Sequence, residues 1–152
     1  MKQIICLIGL LLLLLVACGA KGPSQEPPEI VYGRDVCDAC GMIIDDARYA
    51  ASYVTITGEV RKFESIEDMV THHQENEEEV FLFWVHDYDT EEWVRADEAF
   101  FIQSDNIQSP MGGGLIAAAS EAHAHRLADV WHGTVLTFAE VMDGNVGETH
   151  VH

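Results

Sequence analysis

The chain has 152 residues, and 26 Asp and Glu against 8 Lys and Arg give it a formal net charge of −18 at neutral pH. Such an excess of negative charge excludes electrostatic binding of nucleic acid or of an anionic membrane surface. It favours a cationic partner or a metal ion, although an acidic balance is as readily explained by solubility.

Residues 1–17 read as a lipoprotein signal peptide. Lys2 supplies a positive n-region, Ile4 to Val16 form a short apolar core, and Leu15-Val16-Ala17-Cys18 is a lipobox. The apolar run falls short of the roughly 20 residues that a membrane-spanning helix needs. Cleavage before Cys18 leaves that thiol to carry lipid. The expected product is exported and anchored to the cell-envelope membrane, on its periplasmic or outer surface. Cys6 is lost with the leader, so Cys37 and Cys40 are the only other cysteines of the mature chain. Residues 18–29 are Gly-, Pro- and charge-rich without apolar periodicity, a flexible linker that lets the domain stand off the membrane. The folded domain is expected over residues 30–142, with a His-bearing tail over 143–152.

Asp35 to Ile44 holds two thiols and a thioether within six residues, as Cys37-Asp38-Ala39-Cys40-Gly41-Met42. A Cys-x-x-Cys is either a redox pair or a metal site. A redox pair has no use for the thioether of Met42, whereas thiolate plus thioether is the soft donor set that selects Cu(I). Gly41 permits the tight turn that would bring Cys40 and Met42 to one point. The competing reading is that Met42 opens a buried apolar run with Ile43 and Ile44.

From residue 48 an order of elements occurs twice. Tyr49 to Thr57 and Val60 to Phe63 read as a hairpin closed at Gly58. Ser65 caps a helix whose Ile66, Met69 and Val70 share a face, with a carboxylate three residues after the cap. Val80 to His86 is a central strand. In the second half Ala99 to Gln103 and Leu115 to Ala118 read as strands flanking a long loop. Ser120 opens a helix to about Val130, and Thr134 to Phe138 is a final strand. The expected fold class is therefore α+β: two tandem β-β-α-β units, about 48–88 and 93–140, with antiparallel sheets and one helix each.

Within the long loop, Ser109-Pro110-Met111-Gly112-Gly113-Gly114 places a thioether where core packing does not require one. Pro110 fixes the backbone and the glycines allow close approach of another segment. Met111 is a candidate third soft ligand, or else a loop filler. The histidines are weaker candidates. His123 and His125, like His72 and His73, do not share a helix face. His86 ends a core strand and is as readily a hydrogen-bonded imidazole as a ligand, and His150 and His152 lie in the tail. No Ser/His/Asp order, phosphate loop or dinucleotide fingerprint is present.

The lipobox, Cys37-Asp38-Ala39-Cys40-Gly41-Met42, Phe63-Glu64-Ser65, Val85-His86-Asp87-Tyr88, Trp93-Val94-Arg95-Ala96 and Pro110-Met111-Gly112 follow one another in this order. Together they resemble the NosL family of copper lipoproteins, from Cys18 to about Phe138. The resemblance implies two β-β-α-β units like the N-terminal part of organomercurial lyase. It also implies a non-enzymatic Cu(I) chaperone. Its partners would be nitrous oxide reductase and that enzyme's ABC-transporter-type assembly complex. Carried over by motif, the metal site falls on Cys40, Met42 and Met111, with Cys37 a further match. Two rival readings are a thiol-disulfide oxidoreductase using Cys37 and Cys40, and an interaction module in which the pair forms a structural disulfide.

Overall fold

The computed structural model describes residues 22–144. Cys18 and the tail histidines, His150 and His152, lie outside that range.

Two antiparallel sheets carry the fold. The first consists of β1 (Ala51–Thr55), β2 (Val60–Phe63), β3 (Val80–His86) and β4 (Trp93–Arg95), in the order β2-β1-β3-β4. The second consists of β5 (Phe100–Gln103), β6 (Leu115–Ala118) and β7 (Thr134–Thr137), in the order β6-β5-β7. Helix α1 (Ile66–Asn76) joins β2 to β3, and α2 (Glu121–Trp131) joins β6 to β7. Each unit thus places its first strand in the middle, its hairpin partner on one side and its post-helix strand on the other. The α+β duplication expected from the element order is present as two sheets of matching topology.

Local chemistry accounts for the element ends. Gly58 takes φ +88° at the β1–β2 turn. Ser65 and Ser120 cap α1 and α2, each accepting a backbone N–H three residues on, from Asp68 and His123. Two short elements were not anticipated. Trp93–Arg95 pairs with β3 and so extends the first sheet. Phe138–Met142 forms a short helix, α3, opened by a capping box between Thr137 and Glu140.

Burial explains the strand compositions. All five residues of β1 and all four of β6 are buried, because both faces of each strand are covered. One face of the second sheet packs Ile102, Ile116 and Ala118 against Ala124 and Leu127 of α2. Phe101, Leu115 and Ala117 point the other way and share a core with Tyr53, Phe63, Ile66, Met69 and Val85 of the first unit. The halves are also tied through the backbone, where Tyr88 N–H donates to the Ala117 carbonyl at 2.9 Å. Asp87 accepts the Ala119 N–H at 2.8 Å across the same junction. Consequently α1 of the first unit lies within reach of the β5–β6 loop of the second.

Candidate metal centre

The Cys motif forms a small hairpin loop. Val36 and Ile43 make an isolated antiparallel bridge, Cys37 N–H donates to the Met42 carbonyl at 2.8 Å, and Gly41 N–H returns to the Cys37 carbonyl at 3.0 Å. Gly41 has φ +75° with open space around it, so the backbone turn alone selects glycine there. The loop is fastened to the outer edge of β2. Asp38 N–H donates to the Lys62 carbonyl at 2.9 Å, Lys62 N–H to Asp38 Oδ2 at 2.7 Å, and Lys62 Nζ to Asp35 Oδ2 at 2.6 Å. A loop held at three points on a strand edge presents its side chains in a defined direction.

That direction is the N-terminus of α1. Cys37 is 2 % exposed, and its thiol donates to Asp68 Oδ2 at 3.2 Å. The Cys40 thiol completes a triangle with them, the three ligand atoms all lying within 4.8 Å of one another. Both cysteines are free thiols. Although Cys40 as a residue is exposed, burial of its sulfur, then hydrogen bonding to Asp68 and Cys37, pushes its pKa up to about 12. The thiol is therefore protonated at neutral pH and a metal ion must displace that proton. Glu64, four residues before Asp68, is 4 % exposed, and its Oε2 has no hydrogen-bond partner among the described residues. Burial, then the Asp45 and Asp68 carboxylates, raises its pKa above the ordinary carboxylate range.

The β5–β6 loop docks on the residue next to Asp68. Ser109 Oγ donates to Glu67 Oε1 at 2.6 Å and Leu115 N–H donates to the same oxygen at 3.2 Å. A Cβ added at Gly113 would stand 2.7 Å from Glu67 Cγ, and one at Gly114 would stand 2.1 Å from the Ser104 carbonyl oxygen. The glycines are there for close approach. Met111, from the same loop, shares a cavity of about 350 Å³ with Glu67, Asp68, Thr71 and Leu115. Met42 and Met111 are 46 % and 45 % exposed, so neither thioether is consumed by core packing.

Asp68 was missed as a site residue in the sequence, where Ser65-x-x-Asp68 reads as a capping pair. The cap is made by the Asp68 backbone N–H, leaving the carboxylate free to face Cys37. No local signal distinguishes the two roles.

Three of the candidate histidines are otherwise engaged. His86 is buried, with Nδ1 against the Ala50 carbonyl at 3.0 Å, Nε2 against Tyr32 Oη at 3.1 Å and the ring over Trp93. Its pKa is lowered chiefly by burial. His123 lies between Asp87 and Asp89 at 3.1 and 2.7 Å, and His72 Nδ1 meets Tyr53 Oη at 2.8 Å.

The family model described as NosL matches residues 29–146. The copper-binding lipoprotein NosL of Stutzerimonas stutzeri is 29 % identical over 139 residues, covering 84 % of this chain and 73 % of that protein. The crystal structure of the copper chaperone NosL from Shewanella denitrificans superposes with a TM-score of 0.66 at 20 % identity, covering 78 % of this chain and 96 % of that one. At that identity the likeness is one of fold.

Proposed function

The chain belongs to the NosL family, and from that premise we propose that it is a lipid-anchored carrier of Cu(I), without catalytic turnover, that passes copper to an extracytoplasmic client. Cys40, Met42 and Met111 hold the ion, Cys37 contributes less, and Cys18 carries the anchor. Nitrous oxide reductase, with its assembly complex, is the proposed client. The observation that carries the reading is the convergence on α1. The Cys loop reaches Asp68 while the Met111 loop packs on its neighbour Glu67, from opposite halves of the chain.

The donor chemistry suits the cargo. One thiolate neutralises the charge of Cu(I), and thioethers add softness without charge or protons. Thioethers also form no disulfides in a compartment that oxidises thiols. Two half-exposed thioethers on loops leave room for an incoming partner ligand to take the ion by exchange. A thioredoxin-like redox site would place the cysteine pair at the start of a helix. Here it lies in a hairpin turn. The copper-binding and copper-chaperone names of the two relatives support the same choice.

The test is Cu(I) titration of the reduced protein against a competing chelator, with X-ray absorption at the copper edge. Cys40→Ser should abolish tight binding and Cys37→Ser should weaken it less. Met111→Ala should lower affinity by about one to two orders of magnitude, at roughly 1.4 kcal/mol per factor of ten, and remove one sulfur scatterer. Unchanged binding in Cys40→Ser would refute the assignment.

A further inference from the structure

The segment ahead of the Cys loop touches the first sheet at two distant points. A Cβ added at Gly58, in the β1–β2 turn, would stand 4.0 Å from Pro23 Cα, an ordinary van der Waals distance. Nine residues after Pro23, Tyr32 Oη meets His86 Nε2 at 3.1 Å, at the end of β3. Strands β1 and β3 are antiparallel, with Thr55 opposite Val80 and Ala51 opposite Val85, so the two contacts mark opposite ends of the sheet. Val80 to His86 spans about 20 Å at ~3.3 Å per residue. Nine steps of extended, Pro-rich chain reach about 28 Å, enough to cross the sheet from end to end.

The face that it crosses is the one turned away from α1. Alternation along β1 and β3 sends Ala51, Tyr53, Phe83 and Val85 into the core shared with α1 and the second sheet. It sends Ser52, Val54, Trp84 and His86 the other way. Those four are buried nonetheless, with Val54 only 1 % exposed, although Val54 and Trp84 belong to neither apolar core.

Covalent geometry then limits the reach of the anchor. Cys18 is five residues before Pro23, so their Cα atoms lie at most about 18 Å apart, at ~3.6 Å per residue. The candidate copper ligands belong to the other end of the strands. Chain leaving β2 at Phe63 enters α1, and the Cys loop and the Met111 loop meet that helix at Asp68 and Glu67. The end near Pro23 exposes Ile56 and Val60, and Arg61 pairs there with Glu59 and Glu78 at 3.2 and 2.6 Å.

We propose that residues 22–32 are a strap over the outer face of the first sheet, and that the strap fixes how the domain sits on its membrane. The β1–β2 turn faces the zwitterionic bilayer that holds the lipid on Cys18, and the copper ligands face away from it. This orientation rests on the anchored-carrier reading above. Turning the copper end to the bilayer needs a fully stretched tether or a peeled strap. The net charge of −18 opposes an anionic surface, so the lipid, not surface charge, keeps the turn at the membrane. A domain held this way offers its open ligands to a partner that stands out from the bilayer.

The experiment uses the lipidated protein in phosphatidylcholine vesicles that contain a gadolinium-chelate lipid. A nitroxide is attached through p-acetylphenylalanine at Thr57, in the turn, or at Glu92, beyond the far end of β3. Both positions are exposed, and every cysteine stays intact. Relaxation of the nitroxide by gadolinium should be about tenfold stronger at 57 than at 92, because the ends of β3 stand about 20 Å apart. Two Gly-Ser insertions then separate a strap from a free linker. Between Gly19 and Ala20, about six added residues lengthen the tether by up to about 22 Å and should cut the contrast below about threefold. The same insertion between Glu26 and Pro27 leaves Pro23 docked and should leave the contrast unchanged. Equal relaxation at 57 and 92 in lipidated protein, or the same response to both insertions, overturns this proposal alone. Protein that lacks lipid on Cys18 and stays off the vesicles overturns the anchored reading, and the orientation with it.

Discussion

Replacement of Gly113 by Ala tests the docking of the Met111 loop on α1. The backbone of Gly113 lies outside the left-handed region, so alanine is conformationally acceptable there and only the contact decides. The new Cβ would stand 2.7 Å from Glu67 Cγ and 2.9 Å from Oε1, distances that Cβ atoms do not tolerate. Glu67 is a flexible side chain and can swing away, but doing so gives up its bonds to Ser109 Oγ and Leu115 N–H. Hydrogen bonds to a charged group contribute about 1.5–3 kcal/mol each. Glu67 is only partly buried and water would replace part of that, so the pair is worth about 1–3 kcal/mol. For a domain of this size the melting temperature should fall by about 3–5 °C per kcal/mol. The assay is urea unfolding of Gly113→Ala, Glu67→Ala and the double variant. Removing the Glu67 side chain also removes the obstacle, so the double variant should be no less stable than Glu67→Ala alone. Gly114→Ala is the control: its φ of +68° and the Ser104 backbone oxygen at 2.1 Å cannot be relieved at Glu67. A Gly113→Ala protein within about 0.5 kcal/mol of wild type, or strictly additive effects with Glu67→Ala, would refute the close approach.

Two further outcomes follow from the junction and the leader. Burial alone would raise the pKa of Asp87, but the N–H groups of Ala119 and Thr90, the Thr90 hydroxyl and the His123 ring outweigh it and hold the carboxyl below its ordinary range. A carboxylate depressed in the folded state stabilises above its unfolded pKa of about 3.9, and that stabilisation is lost as pH falls through the folded value. The stability difference between wild type and Asp87→Asn should therefore be constant near neutrality and shrink below about pH 4; urea unfolding from pH 7 to pH 3 that shows a constant gap contradicts this. Cys18→Ala should leave an uncleaved precursor or release unlipidated protein, and mass spectrometry finding a mature membrane-bound form without lipid on Cys18 excludes the anchor.

The secondary elements were legible because their determinants are local. β-Branched and aromatic residues mark β1, a nearly continuous apolar run marks β3, the serines at 65 and 120 mark helix starts, and Gly58 marks the hairpin turn. Thr137-x-x-Glu140 is equally local, and its capping box was readable as the start of α3, although the apolar run through Phe138 suggested continued strand. Trp93–Arg95 was not readable, since three residues cannot display a period and the strand exists only by pairing with β3.

The sequence by itself determined the kind of chemistry, because donor softness is a property of side chains: two thiols and a thioether within six residues, and a second thioether among glycines. Which donors share a space was decided only by tertiary structure. Cys37 and Asp68 are 31 residues apart, and Ser109 and Glu67 are 42 apart. The first pair meets because the Cys loop is fastened to the edge of β2, beside the start of α1. The second meets because two sheets share one apolar core, which brings the loop of one half onto the helix of the other. The role of Asp68 shows the division most plainly. Its backbone answers to the local cap at Ser65, while its carboxylate answers to a cysteine that only the folded chain brings near.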